Sequence, residues 1–350
     1  MTHAIDTGTG SSTPWIMIET LDPALEPTVV STGEDEKDFI ALSRVVQRAI
    51  NSARLGATVT AADVCRRILA ARDRREPVDA VFGHGRARRI LHARPVFGPQ
   101  QHVHGVQYWF GPIDQDPPPR HRATGVVWDL PTELVHMTID CTRMAGIPDA
   151  KFLPVLPLAM FWHNAERFDH HEEVYHLLYE SGPKAKLRTT GTVRNHAQRC
   201  EMHWQATVRT RKDSQAHGAW GLLEDLTSMK SRPPRATLEQ TAFRDYLRAN
   251  GAYLGVIRVP DGSIVRWLTD PPPWIDCTRA PHEVFAPEDR ARLAKATAPD
   301  DGVVRAINHN NDYTPTRIVL TPYRGCRNNQ LAIGRFYRAD STTDRGLRRA

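Results

Sequence analysis

Three times along this chain an apolar run meets a tight-turn signal, and a second run of the same kind leaves it. The first is Trp15-Ile16-Met17-Ile18-Glu19, with Asp22-Pro23 and then Thr28-Val29-Val30-Ser31. The second is Val126-Val127-Trp128-Asp129, turning at Leu130-Pro131-Thr132 into Leu134-Val135-His136-Met137. The third is Gly255-Val256-Ile257-Arg258-Val259, turning at Pro260-Asp261-Gly262 into Ile264-Val265-Arg266-Trp267-Leu268. β-Branched and aromatic runs flanking Pro, Asp or Gly are hairpin signals, because Pro presets one turn dihedral and Gly or Asp tolerates the other. Recurrence at domain-sized intervals predicts three small domains of one kind. Each copy also ends on a strand-like run, at 103–110, 219–223 and 331–337. The pentapeptide Ile-Asp-Cys-Thr-Arg occurs at 139–143 and 275–279, both times after the opening hairpin. That fits duplication; coincidence is the competing reading.

Proline marks the boundaries. Pro117-Pro118-Pro119 follows the first closing run and Pro233-Pro234 follows the second. Such runs cannot join a helix or a central strand and form stiff spacers. Domains are therefore expected at 14–113, 120–229 and 236–340, each of a size that can hold its own core. Between the hairpins of the first, Phe39, Leu42, Val46 and Ile50 recur at helical spacing. Thr60, with Asp63 three residues on, predicts an N-cap for a helix burying Val64, Ile68 and Leu69. The second domain has an apolar segment at 152–162 that reads as helix or loop, and a helix capped by Asp169 with Glu172. In the third, Ala286-Pro287-Glu288-Asp289 opens a helix. The expected fold class is α+β, with an antiparallel sheet in each domain and helices packed on one of its faces.

That order of elements resembles PAS and GAF domains. Phe285-Ala286-Pro287-Glu288-Asp289-Arg290 resembles the opening of a PAS helix, and Gly221-Leu222-Leu223-Glu224-Asp225-Leu226-Thr227 resembles the ending of a PAS module. The opening 15–21, the following Glu26-Pro27-Thr28-Val29-Val30 and the three-part layout are similar to one group in particular. It is an actinobacterial, mycobacterial-type family of three-domain PAS/GAF/PAS proteins of unknown biochemical function. The resemblance implies three PAS/GAF-like domains and a sensing or scaffolding role, and it brings no catalytic residues.

Composition narrows the partners. A net charge of +6 is spread among interspersed acids. The densest basic clusters, Arg72-Asp73-Arg74-Arg75 and Arg86-Ala87-Arg88-Arg89, read as solvated faces before they read as a nucleic-acid footprint. Five cysteines without a Cys-x-x-Cys pair point to reduced thiols and a cytoplasmic location. Residues 1–13 lack the apolar stretch of a signal peptide, and no run has the length of a membrane span.

No catalytic constellation stands out. The densest histidine group, at 163–176, places His171 and His176 five residues apart, about 140° around a helix. A zinc-protease helix needs a spacing of four. An enzyme reading would need His163, His171 and His176 to meet in space, and a nucleic-acid regulator would need its arginines on one face. No metal and no cofactor are expected. Cys141 and Cys277 read as small buried residues. Trp128, Trp162 and Trp204 are the candidate ligand-binding residues, because aromatic side chains on a sheet can line a pocket, although core packing is their default use. The expected role is a non-catalytic sensory or adaptor protein that takes a small-molecule ligand and signals through a protein partner, with a homodimer left open.

Overall fold

A computed structural model describes residues 13–339, apart from 34, 56–57, 164, 169, 183, 213–216, 229–236, 298 and 326–329. The chain divides into two compact units, Met1–Arg122 and Ala123–Ala350. Together they carry three antiparallel sheets with helices, an α+β architecture.

In the first unit the strands are β1 (Ile16–Glu19), β2 (Thr28–Thr32), β3 (Asp35–Ala41), β4 (Val78–Phe82), β5 (Arg89–Phe97) and β6 (Val103–Pro112). Helices α1 (Leu42–Ala53) and α2 (Ala61–Arg74) lie between β3 and β4. The sheet order is β3-β2-β1-β6-β5-β4. Strand alternation sends Ile16, Ile18, Val106, Tyr108 and Phe110 into a core shared with Val46, Ile50, Val64 and Ile68 of the helices. Residues between them, such as Met17 and Trp109, are fully buried outside that core. Here the chain ends of the unit take part. The Trp109 indole donates to the carbonyl of Thr13 (2.8 Å) and the Trp15 indole to that of Pro118 (2.7 Å). The proline run is thus tied to the sheet it follows.

Helix α1 buries Leu42, Val46 and Ile50, as their spacing predicts. Phe39 does not belong to that helix. It lies in β3 with φ 48°, where three residues of β3 face one of β2 between the pairs Val29–Ile40 and Ser31–Glu36. A left-handed residue marks the bulge that interrupts the pairing, which resumes at Ile40 and Ala41, and it cannot form a turn of right-handed helix. The predicted cap of α2 is formed: the Asp63 amide donates to Thr60 Oγ (3.2 Å), and that hydroxyl donates to the Asp63 carboxylate (2.7 Å). Thr60→Ala should lower stability by about 1 kcal/mol. Urea titration checks it, and an unchanged midpoint would mean the cap is energetically idle.

In the second unit, β7 (Ala123–Asp129), β8 (Leu134–Met137), β9 (Val155–Pro157), β10 (Ala165–Arg167), β11 (Lys186–Arg194), β12 (Glu201–Lys212) and β13 (His217–Asp225) form a sheet ordered β10-β11-β12-β13-β7-β8-β9. Its helices are α3 (Ile139–Met144), α4 (Leu158–His163) and α5 (His171–Tyr175), the last continuing as a π-helical turn over His176–Glu180. The α5 N-cap residue is His170, and Asp169, the expected cap, lies outside the described residues. After α6 (Leu238–Ala249), strands β14 (Tyr253–Arg258), β15 (Ser263–Trp267), β16 (Asp300–Ile307), β17 (Tyr313–Pro322) and β18 (Leu331–Arg338) form the third sheet, ordered β15-β14-β18-β17-β16. Helix α7 (Pro287–Leu293) opens with proline in its first turn.

All three hairpins read from the sequence are present, and in each sheet the first hairpin strand pairs with the closing strand: β1 with β6, β7 with β13, and β14 with β18. The second and third sheets share one unit for a reason visible in the third. Val256, Val265 and Leu331 join the core of the second sheet, whereas their neighbours Ile257, Ile264 and Ala332 build a separate core on the opposite face. The repeated pentapeptide takes two conformations. At 139–143 it is helical in α3; at 275–279 it is a turn, in which the Asp276 carboxylate accepts from the Thr278 amide (3.1 Å) and hydroxyl (2.6 Å).

Candidate functional site

On one face of the second sheet lies a cavity of about 490 Å³. Strands β7, β12 and β13 supply Trp128, Trp204, Ala206 and Leu223; β11 adds Thr189, Gly191 and Val193. Facing them are Cys141 and Thr142 of α3, Phe161 and Trp162 of α4, and Phe168. Leu153 and Leu156 come from the apolar segment that follows α3. Strand alternation explains three of the four β11 residues, since 189, 191 and 193 share one face; Thr190 also lines the cavity.

The aromatic groups pack against one another. Trp128 and Trp162 stack at 6.2 Å with planes 12° apart, Phe161 meets Trp128 edge-on at 6.0 Å, and Phe168 lies 4.8 Å from Trp162. The structure therefore brings Trp128, Trp162 and Trp204, which lie far apart in the chain, to the wall of one cavity. Residues that sequence reasoning left out are Phe161, Phe168, Thr189 and Lys151. Phe161 falls inside the apolar segment 152–162 and Phe168 reads as apolar surface of the helix capped by Asp169; Thr189 and Lys151 carry no local signal.

The cavity opens to solvent at a rim where Lys151, Leu153 and His196 are exposed. Within it, the indole N–H groups of Trp128, Trp162 and Trp204 and the Thr189 hydroxyl are buried and meet no acceptor among the described residues. Each such group costs about 1–3 kcal/mol. The volume lies within the range of small-molecule sites, roughly 300–1,000 Å³.

A second recess of about 390 Å³, at Arg279, Arg290 and Asn311 in the third sheet, is polar, but its cations are engaged. Arg279 donates to Asp276 (3.0 Å) and Asn311 (2.9 Å), and Arg290 to the His282 carbonyl. Burial, then the neighbouring Asp140, pushes the Cys141 thiol up to about 12, so it stays a protonated wall residue at neutral pH. Burial followed by Asp276 pushes Cys277 up to about 12 as well.

The histidines of 163–176 are dispersed among different neighbours. His176 contacts Glu180 (2.8 Å), His170 contacts Glu173 (3.4 Å), and His171 lies against Tyr175 and Tyr323. Among the described residues no three His, Cys, Asp or Glu side chains are grouped to hold a metal ion. Among the same residues, no helix is long and apolar enough to cross a membrane.

Besides the core shared through Val256, Val265 and Leu331, two further contacts join the second and third sheets among the described residues. Helix α4 puts Phe161 and Trp162 on the cavity and Ala159 and Met160 into the core of the third sheet. From β15 the Arg266 guanidinium lies 5.7 Å from the Trp162 ring and 5.8 Å from that of Phe168. Elsewhere, Glu133, held at φ 55° in the β7–β8 turn, is 2% exposed. Its carboxylate accepts from Tyr179 (3.1 Å) and from Arg258 (3.1 Å), and Arg258 also reaches Asp261 (2.7 Å) in the β14–β15 turn. Burial drives the Glu133 carboxyl up to about 7, with Asp261 adding to the rise and Arg258 opposing it.

Residues 14–119 match the family model described as Rv3651-like, N-terminal. The chain is similar to the crystal structure of an uncharacterised protein from Mycobacterium tuberculosis, with a TM-score of 0.76 and 17% identity over 93% of this chain and 95% of that one. Slighter likenesses link 62% of the chain to 95% of an RNA-binding light-oxygen-voltage receptor (TM-score 0.26, 11% identity). A further one links 62% of it to 74% of the ligand-binding domain of the Pseudomonas aeruginosa PAO1 amino acid chemoreceptor PctC in complex with GABA (TM-score 0.20, 9% identity). No curated protein sequence matches. The family model thus covers the first unit, and the likeness to the Mycobacterium tuberculosis structure shows a shared fold over nearly the whole length.

Proposed function

We propose that this chain is a non-catalytic sensory or adaptor protein of the cytoplasm, built of three PAS/GAF-like domains at 14–113, 120–229 and 236–340. The middle domain binds a small molecule in the aromatic cavity, and the third passes the change to a protein partner. One observation carries this reading: α4 forms wall of the cavity with one pair of residues and core of the third sheet with another. A ligand that moves Trp162 therefore acts on Ala159, Met160 and Arg266 through direct contact. The chiefly apolar walls and the protonated Cys141 thiol support the same reading.

A metabolite library tested by thermal shift and tryptophan fluorescence checks the proposal. A cognate ligand should raise the melting temperature, because it binds only the folded state. Trp204→Leu should weaken that ligand at least tenfold while the chain stays folded, since an aromatic wall is lost and most of the volume kept. A library that shifts nothing, or a ligand indifferent to Trp204→Leu, would sink the reading.

A further inference from the structure

The cavity is chemically one-sided. Among the described residues its lining contains no Asp, Glu, Asn or Gln side chain. Its polar groups are threonine hydroxyls, the Cys141 thiol, three indoles that can only donate, and two exposed side chains, Lys151 and His196. Lys151 is the available cation. Arg143, on nearby α3, is held by Asp149 (2.8 Å) and Asp140 (3.4 Å), whereas no carboxylate pairs with Lys151 among the described residues. Such a site offers an ammonium group no carboxylate, only threonine hydroxyls and aromatic faces, two of which Arg266 already approaches. It has a charge and several donors to satisfy an acid.

We propose that the cavity selects an apolar carboxylate, whose body lies among Trp128, Trp162 and Trp204 and whose anionic head meets Lys151 at the rim. The inference rests on the ligand-sensing reading above and adds the chemical class. Burial of the apolar body supplies affinity common to any such molecule. The ammonium adds a charge-assisted hydrogen bond that a neutral analogue forgoes.

Three probes of equal length separate these contributions: dodecanoate below its micelle-forming concentration, dodecan-1-ol and dodecylamine. Each is titrated into the full chain and followed by tryptophan fluorescence. Dodecanoate should bind roughly tenfold more tightly than the alcohol, and the amine more weakly than the acid. Lys151→Glu should abolish the advantage of the acid and leave the alcohol unchanged; the residue is exposed, and an unaltered melting temperature confirms folding. Trp204→Leu should weaken all three. Equal affinity for acid and alcohol in the parent chain, or an advantage that survives Lys151→Glu, would overturn the anion preference while the sensory reading stands. Indifference to Trp204→Leu would place binding elsewhere and overturn the proposal. Failure of all three probes to bind would overturn it too, and the metabolite library then decides the sensory reading on its own.

Discussion

Trp109→Ala is expected to lower the stability of the first unit by about 3–5 kcal/mol. Trp109 is fully buried, stacks on His92 at 5.7 Å and donates its indole N–H to the Thr13 carbonyl. Truncation leaves a void the size of an indole on the sheet face that lacks the helices, and it strands a carbonyl acceptor. Helices α1 and α2 pack on the other face and cannot slide into this void, so the upper end of the range applies. Hydrogen exchange on the full chain reads the result locally. Amides of β5 and β6 should lose protection, whereas those of β11 to β13, in the other compact unit, keep theirs. A loss below about 1 kcal/mol would mean that this face is loosely packed.

Glu133 should make the second unit less stable as pH rises. Its carboxyl titrates near 7 in the fold against 4.5 ordinarily. Between those values the folded chain holds a proton that the unfolded chain has released, so stability falls across the interval and levels off above it. At 1.36 kcal/mol per unit the fall is about 3 kcal/mol, less whatever local relaxation recovers. Glu133→Gln cannot ionise. The groups facing the site, Arg258, Asp261 and Tyr179, are the same in both proteins. The two stability curves should therefore meet near pH 4.5 and separate by pH 8, with the variant the more stable. Urea denaturation at several pH values measures this. A variant less stable than its parent at pH 8 would show that the ionised Glu133–Arg258 pair more than offsets its desolvation, contrary to expectation.

Much of the architecture was legible because hairpins are local. The runs at 15–19, 126–129 and 255–259 with their Pro, Asp and Gly turns became β1, β7 and β14, each paired as expected. Helix α2 was legible for the same reason, as its cap lies within three residues of its start. What escaped was non-local or short. Phe39 fits the helical stripe of α1 in spacing, and only the irregular pairing of β3 with β2 removes it. Strands β9 and β10 have three residues each, too few to show a period. The pentapeptide is the sharpest case: identical residues form a helix beside one sheet and a turn beside another, so surroundings decide its conformation. For the cavity, the tryptophans and the segment 152–162 were readable as aromatic and apolar material. Thr189 and Lys151 were not, because nothing near them in sequence says that β11 and the loop after α3 face one another.

Helix α4 is six residues long and has no side that belongs to the cavity alone. The arrangement of Ala159 and Met160 against the third sheet is part of the same rigid body as Phe161 and Trp162. Linkage then works in both directions: if filling the cavity changes how the third sheet holds the proposed partner by some factor, such a partner changes the cavity's affinity by the same factor. Affinity measured on the isolated chain and affinity measured with a partner seated are then two different constants, and their ratio is the strength of the signal.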